Sequence, residues 1–350
     1  MTWSSFFPAS RRPAGPARAL PLTGACAAAL LLLLAACGGG SGDTSDGKGE
    51  SVRITEQNAV PIVSNAFQAS DSLYGIGLDV SDTALDLKSV GPRGKASMID
   101  LALQRLESLA GSAGGTSLRH AKAVSSDSLA CDGGGSITMT MDDADDSGDV
   151  STGDAAHFDF RNCTNAGWAI NGTMSLTGLV LTGTPGDSAG TLGADVIFKS
   201  FSISDGSQTE VVDGGFSIRA SVQTVPARVV EATVTGSSFR VSGADVNGEL
   251  RAFALEARAD AGAGTYVYRI GATVIDSSMA TVVVVSNPEP FTGVVGAFPS
   301  SGSMLVRESG GSAARLTATS STTVRIDVDA DGDGVFESTL DRTWSEIAAG

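Results

Sequence analysis

Two stretches of the chain concentrate oxygen-bearing side chains at regular spacing. Residues 143–154 read Asp-Ala-Asp-Asp-Ser-Gly-Asp-Val-Ser-Thr-Gly-Asp, and residues 329–341 read Asp-Ala-Asp-Gly-Asp-Gly-Val-Phe-Glu-Ser-Thr-Leu-Asp. Each sets carboxylates at alternate positions and then a glycine. A hard divalent cation such as Ca²⁺ takes six to eight oxygen ligands, and alternating acids on a tightly wound loop converge on one point. Asp and Gly are also strong turn formers, so the same letters serve a solvated turn. If an ion binds, its task is structural: it neutralises carboxylates that otherwise repel, and it stiffens a long hairpin.

The first stretch resembles the calcium loop of EF-hands, and more closely the dockerin variant that ends in aspartate. The resemblance implies ligands from Asp143, Asp145, Ser147, Asp149 through its carbonyl, Ser151 and Asp154, with Gly148 at the sharp turn. The second stretch repeats the opening of that pattern with Asp329, Asp331, Asp333 and Gly334. Its twelfth position is Leu340, so a closing carboxylate has to come from Glu337 or Asp341. β-rich runs flank both loops where EF-hands have helices, so the resemblance stops at a structural site and does not extend to a sensor.

Catalytic patterns are thin. Gly186-Asp187-Ser188-Ala189-Gly190 has the letters of a nucleophile elbow but lies between two β-rich runs, without the strand-to-helix turn the elbow needs. The chain has 2 histidines, His120 in a polar linker and His157 on the polar side of a strand, too few for a zinc site built on His and Cys. Gly133-Gly134-Gly135 precedes a strand and so is no phosphate loop. Trp168, Trp344, Tyr266 and Tyr268 suit either sugar stacking or packing, and packing is the commoner use.

The N-terminus is an address. Arg11, Arg12 and Arg18 precede an apolar run with a small-residue exit, the layout of a secretory signal over residues 1–36. Leu34-Ala35-Ala36-Cys37 resembles the lipobox of bacterial lipoproteins. That resemblance implies cleavage before Cys37 and diacylation of its thiol with fatty acids such as palmitate. Gly38 stands where an inner-membrane retention aspartate would, so the outer membrane is the expected destination. Cys26 lacks an apolar run before it and is a poor rival. Residues 37–51 are mostly Gly, Ser and Asp and read as a flexible tether between lipid and fold.

Residues 52–130 read as a helical cover segment. Val60, Val63 and Phe67 predict a short helix over 59–68 with Asn58 as its cap, and Ile99, Leu103, Leu106 and Leu109 predict a second over 95–111. From 131 to 350 the period becomes two, in about a dozen short runs separated by Gly, Asp, Asn or Ser. The expected fold is mainly β: a large antiparallel up-and-down sheet, curled into a half-barrel or barrel-like form, with the two N-terminal helices packed on it. No clear internal repeat is visible. Aromatic residues are 5% of the chain, too few for the girdles of a transmembrane barrel, and Arg219, Arg240, Arg251 and Arg269 interrupt its strands.

Cys131 and Cys163 remain after processing, and an exported chain is oxidised, so a disulfide between them is expected. A hairpin closing on residues 143 and 154 leaves these cysteines three positions out of register, an offset one bulge absorbs. The formal charge of −16 excludes nucleic acid as a partner. The expectation is therefore a lipid-anchored, calcium-stabilised envelope protein, attached to the membrane by its anchor, with a structural or ligand-binding role and a protein or apolar ligand as partner. The rivals are a carrier of an apolar ligand in a half-barrel and an envelope hydrolase using scattered carboxylates.

Overall fold

The computed structural model describes residues 52–82, 125–131, 133–147, 151–165, 168–182, 189–224, 228–243, 247–277 and 279–349. Strands β1 (Ser125–Ala130), β2 (Ser136–Asp142), β3 (Ala155–Asn165), β4 (Trp168–Thr182), β5 (Gly190–Ser204), β6 (Thr209–Gln223) and β7 (Val229–Ser242) come first. They are followed by β8 (Asn247–Asp260), β9 (Thr265–Asp276), β10 (Thr281–Val294), β11 (Ser301–Glu308), β12 (Ala313–Ala318), β13 (Thr323–Asp329) and β14 (Ser338–Thr343). All 14 form one antiparallel sheet in which spatial order equals chain order, and β1 and β14 do not pair, so the sheet is open. Short connections produce this topology, because each strand meets its successor before any other partner is within reach.

The two-residue period sorts side chains onto two faces. On β9, Tyr266, Tyr268, Ile270, Ala272 and Val274 are buried while Thr265 and Arg269 point to solvent. Cross-strand register lines the buried residues into rows, such as Ile218 opposite Val234, Val234 opposite Leu255, and Leu255 opposite Ile270.

Helix α1 (Ala59–Asp82) covers this inner face. Its Ile62, Val63, Ala66 and Phe67 are buried. It touches β6, β7, β8, β9, β12 and β13. In a flat sheet β6 and β13 would stand roughly 34 Å apart, about three helix diameters. Asn58 sits at its start but turns its Oδ1 back to accept the Thr55 N–H at 2.7 Å, fixing the entry turn instead of pointing forward into the helix. Pro61 falls in the first turn, where no intrahelical partner is lost.

The second predicted helix, 95–111, lies outside the described residues. The other described helix, α2 (Trp344–Ala349), lies at the opposite end of the sheet's sequence, which corrects the β-rich reading of the chain's last residues. It starts with a capping box: Glu346 accepts the Thr343 N–H at 2.7 Å, and Thr343 Oγ1 accepts the Glu346 N–H at 3.3 Å. Trp344 is fully buried, and its indole N–H donates to the carbonyls of Pro299 and Ser320 at 2.9 and 3.0 Å. Its ring meets Phe67 of α1 at 4.8 Å between centroids and stacks on Phe298 at 5.6 Å. A second correction concerns the start of the sheet: β1 lies inside residues 52–130, so strand structure begins before 131.

On the outer face Glu249 is buried, at 8% exposure. Arg251 donates to it twice, at 2.7 and 3.0 Å, Arg240 at 3.0 Å and Ser238 at 2.8 Å. The hydrogen bonds from Arg251 are the chief reason its carboxyl is held down at about 2; burial opposes them, and Arg240 and Ser238 add to them. Because this pKa is depressed in the fold, the stabilisation is complete above the ordinary value of 4.5 and is lost as pH falls through about 2. Glu249→Gln should therefore cost about 1–3 kcal/mol near neutrality. Denaturant melts at stepped pH should show that gap closing in acid; a gap independent of pH would contradict the assignment.

Candidate metal loops and the stapled hairpin

The first acidic loop joins β2 to β3. Asp142 pairs with Ala155 and Ser136 with Arg161, the register that a loop bounded by residues 143 and 154 requires. Asp154 is fully buried. Its two oxygens accept the N–H groups of Ala144 at 2.9 Å and Ser151 at 2.6 Å, drawing both ends of the loop together. Asp143 and Asp145 both accept from the Ser147 N–H, at 3.1 and 3.0 Å. The Ser147 hydroxyl is the largest influence holding the exposed Asp145 carboxyl below its usual range. Asp146 takes a left-handed φ of 56° where the chain reverses. Carboxylate oxygens of Asp143, Asp145 and Asp154 come within 4.8 Å of one another. Of the other sequence-predicted ligands, Ser147 and Ser151 lie on the same loop, and Asp149 lies outside the described residues.

The second loop, between β13 and β14, is wound more completely. Asp329 is buried and accepts the N–H groups of Gly332 at 2.7 Å and Gly334 at 3.0 Å. Asp331 accepts from Asp333, Asp333 from Val335, and Glu337 from Ala330. Carboxylate oxygens of Asp329, Asp331, Asp333 and Glu337 converge within 4.8 Å. Of the two possible closing acids, Glu337 joins the group, whereas Asp341 lies across the β13–β14 pair, 3.8 Å from Arg325. The loop also receives the segment that leads into α1, where Arg53 donates to the Ala330 carbonyl at 2.5 Å; the next residue, Ile54, donates its N–H to Ser312 Oγ of the β11–β12 turn at 2.9 Å.

The donor chemistry fits a hard cation. All the converging groups are carboxylate oxygens, the hard donors such an ion takes, and each group is close enough together to reach one ion. Asp329, Asp331, Asp333 and Glu337 would hold the ion in one loop, and Asp143, Asp145 and Asp154 in the other.

Cys131 and Cys163 are bonded, with Cα atoms 5.4 Å apart, at the base of the hairpin whose tip is the first loop. The residues between them and the regular ladder absorb the three-position offset: Gly134 and Gly135 have positive φ on one side, and Asn162 forms a bulge on the other. Elsewhere, His157 is exposed, with Nδ1 2.9 Å from Ser175 Oγ on an open sheet surface. Tyr266, Tyr268 and Trp344 are buried in the core and offer no stacking platform. Ser188 and His120 lie outside the described residues, as does Cys37. Among the described residues no helix is long and apolar enough to cross a membrane.

Together these features define an open up-and-down sheet with one stapled hairpin and two acid-lined turns. No family model, curated protein or solved structure matches the chain.

The disulfide closes a sequence separation of 32 residues. In the chain-entropy view that restriction of the unfolded state is worth about 3–4 kcal/mol. The double variant Cys131→Ala, Cys163→Ala should melt markedly lower than the oxidised protein, and reductant should lower the parent but not the variant. Equal melting of parent and variant would show that the staple carries no stability.

Proposed function

We propose that this chain is a lipid-anchored protein of the bacterial cell envelope, non-enzymatic, whose β domain is stabilised by calcium and serves a structural or protein-binding role at the outer membrane. The sheet is curled as a half-barrel around α1. The observation that carries the structural role is the inner face itself. Val63 and Phe67 of α1 are packed against the apolar rows of the sheet, so the space a carried ligand would need is occupied by the chain's own side chains. Contact of one helix with strands as far apart as β6 and β13 supports the curl.

The anchor rests on Leu34-Ala35-Ala36-Cys37. The calcium rests on the two convergent carboxylate groups, Asp143–Asp145–Asp154 and Asp329–Asp331–Asp333–Glu337. An ion bound at either loop would add a further link between two neighbouring strands at the tip of their hairpin. It would also relieve repulsion among acids in a chain already at −16.

Two measurements test the reading. Cells fed radiolabelled palmitate should label the protein and recover it in the outer-membrane fraction, and Cys37→Ala should abolish the label. An unlabelled parent would remove the anchor. Purified protein titrated with Ca²⁺ in a calorimeter should release or absorb heat, and a hundredfold excess over Kd should add about 2.7 kcal/mol of stability. The pair Asp331→Asn, Asp333→Asn should lose the part due to the second loop. Absence of both heat and melting shift at millimolar calcium would end the metal proposal.

A further inference from the structure

Two neighbouring hairpins share one local construction. In β3–β4, Phe160 lies opposite Gly172 and Cys163 opposite Ile170, so Arg161 and Asn162 together face the single residue Asn171. In β5–β6, Phe198 lies opposite Gly214 and Phe201 opposite Val212, so Lys199 and Ser200 together face Asp213. The second bulge residue is left-handed in both, with φ 47° at Asn162 and 48° at Ser200. The N–H freed by each bulge is satisfied identically: Asn162 donates to Asn171 Oδ1 and Ser200 to Asp213 Oδ1, both at 2.7 Å. An αL residue without glycine is uncommon, and two with the same partner geometry in adjacent hairpins point to one construction used twice.

The glycines that follow the acceptors match as well. Gly172 and Gly214 have φ of 103° and 105°. A Cβ on Gly172 would sit 2.3 Å from the Ser200 carbonyl oxygen of the next strand, and one on Gly214 would sit 2.4 Å from that of Ser238. Each glycine is thus a notch that lets the backbone of the following strand approach. The side chains facing the core correspond in pairs: Phe158 with Val196, Phe160 with Phe198, Cys163 with Phe201, Ile170 with Val212, Met174 with Phe216, and Leu176 with Ile218, all buried. On the first strands the correspondence is an offset of 38 residues and on the second strands 42. The bulge explains why Phe160 and Cys163 both face inward although three positions apart. In β7 Ser238-Phe239 stands 38 residues after Ser200-Phe201, but there the ladder to β8 runs without a bulge and Ser238 is not left-handed.

We propose that β3–β4 and β5–β6 are copies of one hairpin unit, that this unit with its Asx acceptor, bulge and glycine notch is the device that bends the sheet, and that whole units can be removed or added in frame. Removing residues 172–213 joins Asn171 to Gly214 and rebuilds the notch as Ile170-Asn171-Gly214-Gly215-Phe216. The hybrid strand keeps the β3-facing register of β4 and the β7-facing register of β6. The residues of helix α1, the Cys131–Cys163 bridge, both acidic loops and Trp344 are all retained, while the bonds of Gly153 and Thr152 to Leu179 and Leu181 fall to positions 221 and 223 of the hybrid strand.

The test compares frames. The purified chain lacking 172–213, and a chain carrying a second copy of 172–213 after residue 213, should each show β-rich circular dichroism and one cooperative melting transition. Matched variants with one residue more removed or added move Phe216 and Ile218 to the solvent face, because the side-chain period is two, and should not fold cooperatively. The proposal is overturned if neither in-frame variant folds, or if the out-of-frame variants fold equally well. Folding of either in-frame variant with loss in its out-of-frame partner supports it.

Discussion

The fold depends on the contact between Phe67 of α1 and Trp344 of α2. A sheet with one apolar face and two free edges has no independent reason to stay in water as a single molecule. Among the described residues α1 is the main cover, and the buried indole grips it from the far side, held by two carbonyls and stacked on Phe298. Phe291 of β10 completes the grip, edge-on to Phe67 at 6.1 Å. Burying an aromatic side chain of this kind contributes roughly 1.5–3 kcal/mol, so the group as a whole rivals the net stability of an ordinary domain. The segment before α1 is tied to the loop after β13 through Arg53 and to the β11–β12 turn through Ile54, so the helix is held at its start as well as along its buried face.

Much of the sheet was legible in the sequence because its physics is local. Alternation of apolar and polar residues marks the buried face of β9, and the ends of the first acidic loop determine the β2–β3 register. What escaped reading lacked such a local signal. β1, Ser-Ser-Asp-Ser-Leu-Ala, carries almost no apolar alternation; it is an edge strand built by its backbone ladder to β2. α2 has 6 residues, too few for a 3.6-residue period to show, and Thr343 with Glu346 was the one available sign of its start. The repeated hairpin was invisible because its two strands recur at different offsets, 38 and 42, so no single period aligns both. Only pairing restores the match.

The metal loops show how a candidate site can be half readable. Spacing singled out Asp329, Asp331 and Asp333, and offered Glu337 for the fourth acid with Asp341 as its alternative. The strand pairing decides between them, since Asp341 belongs to the β14 ladder opposite Arg325, whereas Glu337 still lies in the loop. In both loops the acids first accept backbone N–H groups of their own turn, as Asp154 and Asp329 do while buried. The backbone therefore does the winding, and the carboxylates are gathered as a result. The conformational entropy of closing the loop is spent on the turn, which is the arrangement in which a cation meets oxygen atoms already placed.

Strand order that equals chain order has a temporal side. Each hairpin needs only its immediate neighbour, so pairing can spread along the chain as it becomes available, with short loops to close at every step. The cover works on another scale: Gln68 of α1 bonds to the Ile347 carbonyl across 279 residues. A chain released early would carry a nearly complete sheet and its covering helix α1, but without the Trp344 grip that holds the two together. Synthesis delivers residues in order, so the seal at Trp344 acts as a completion mark, reached only when every strand before it has been made.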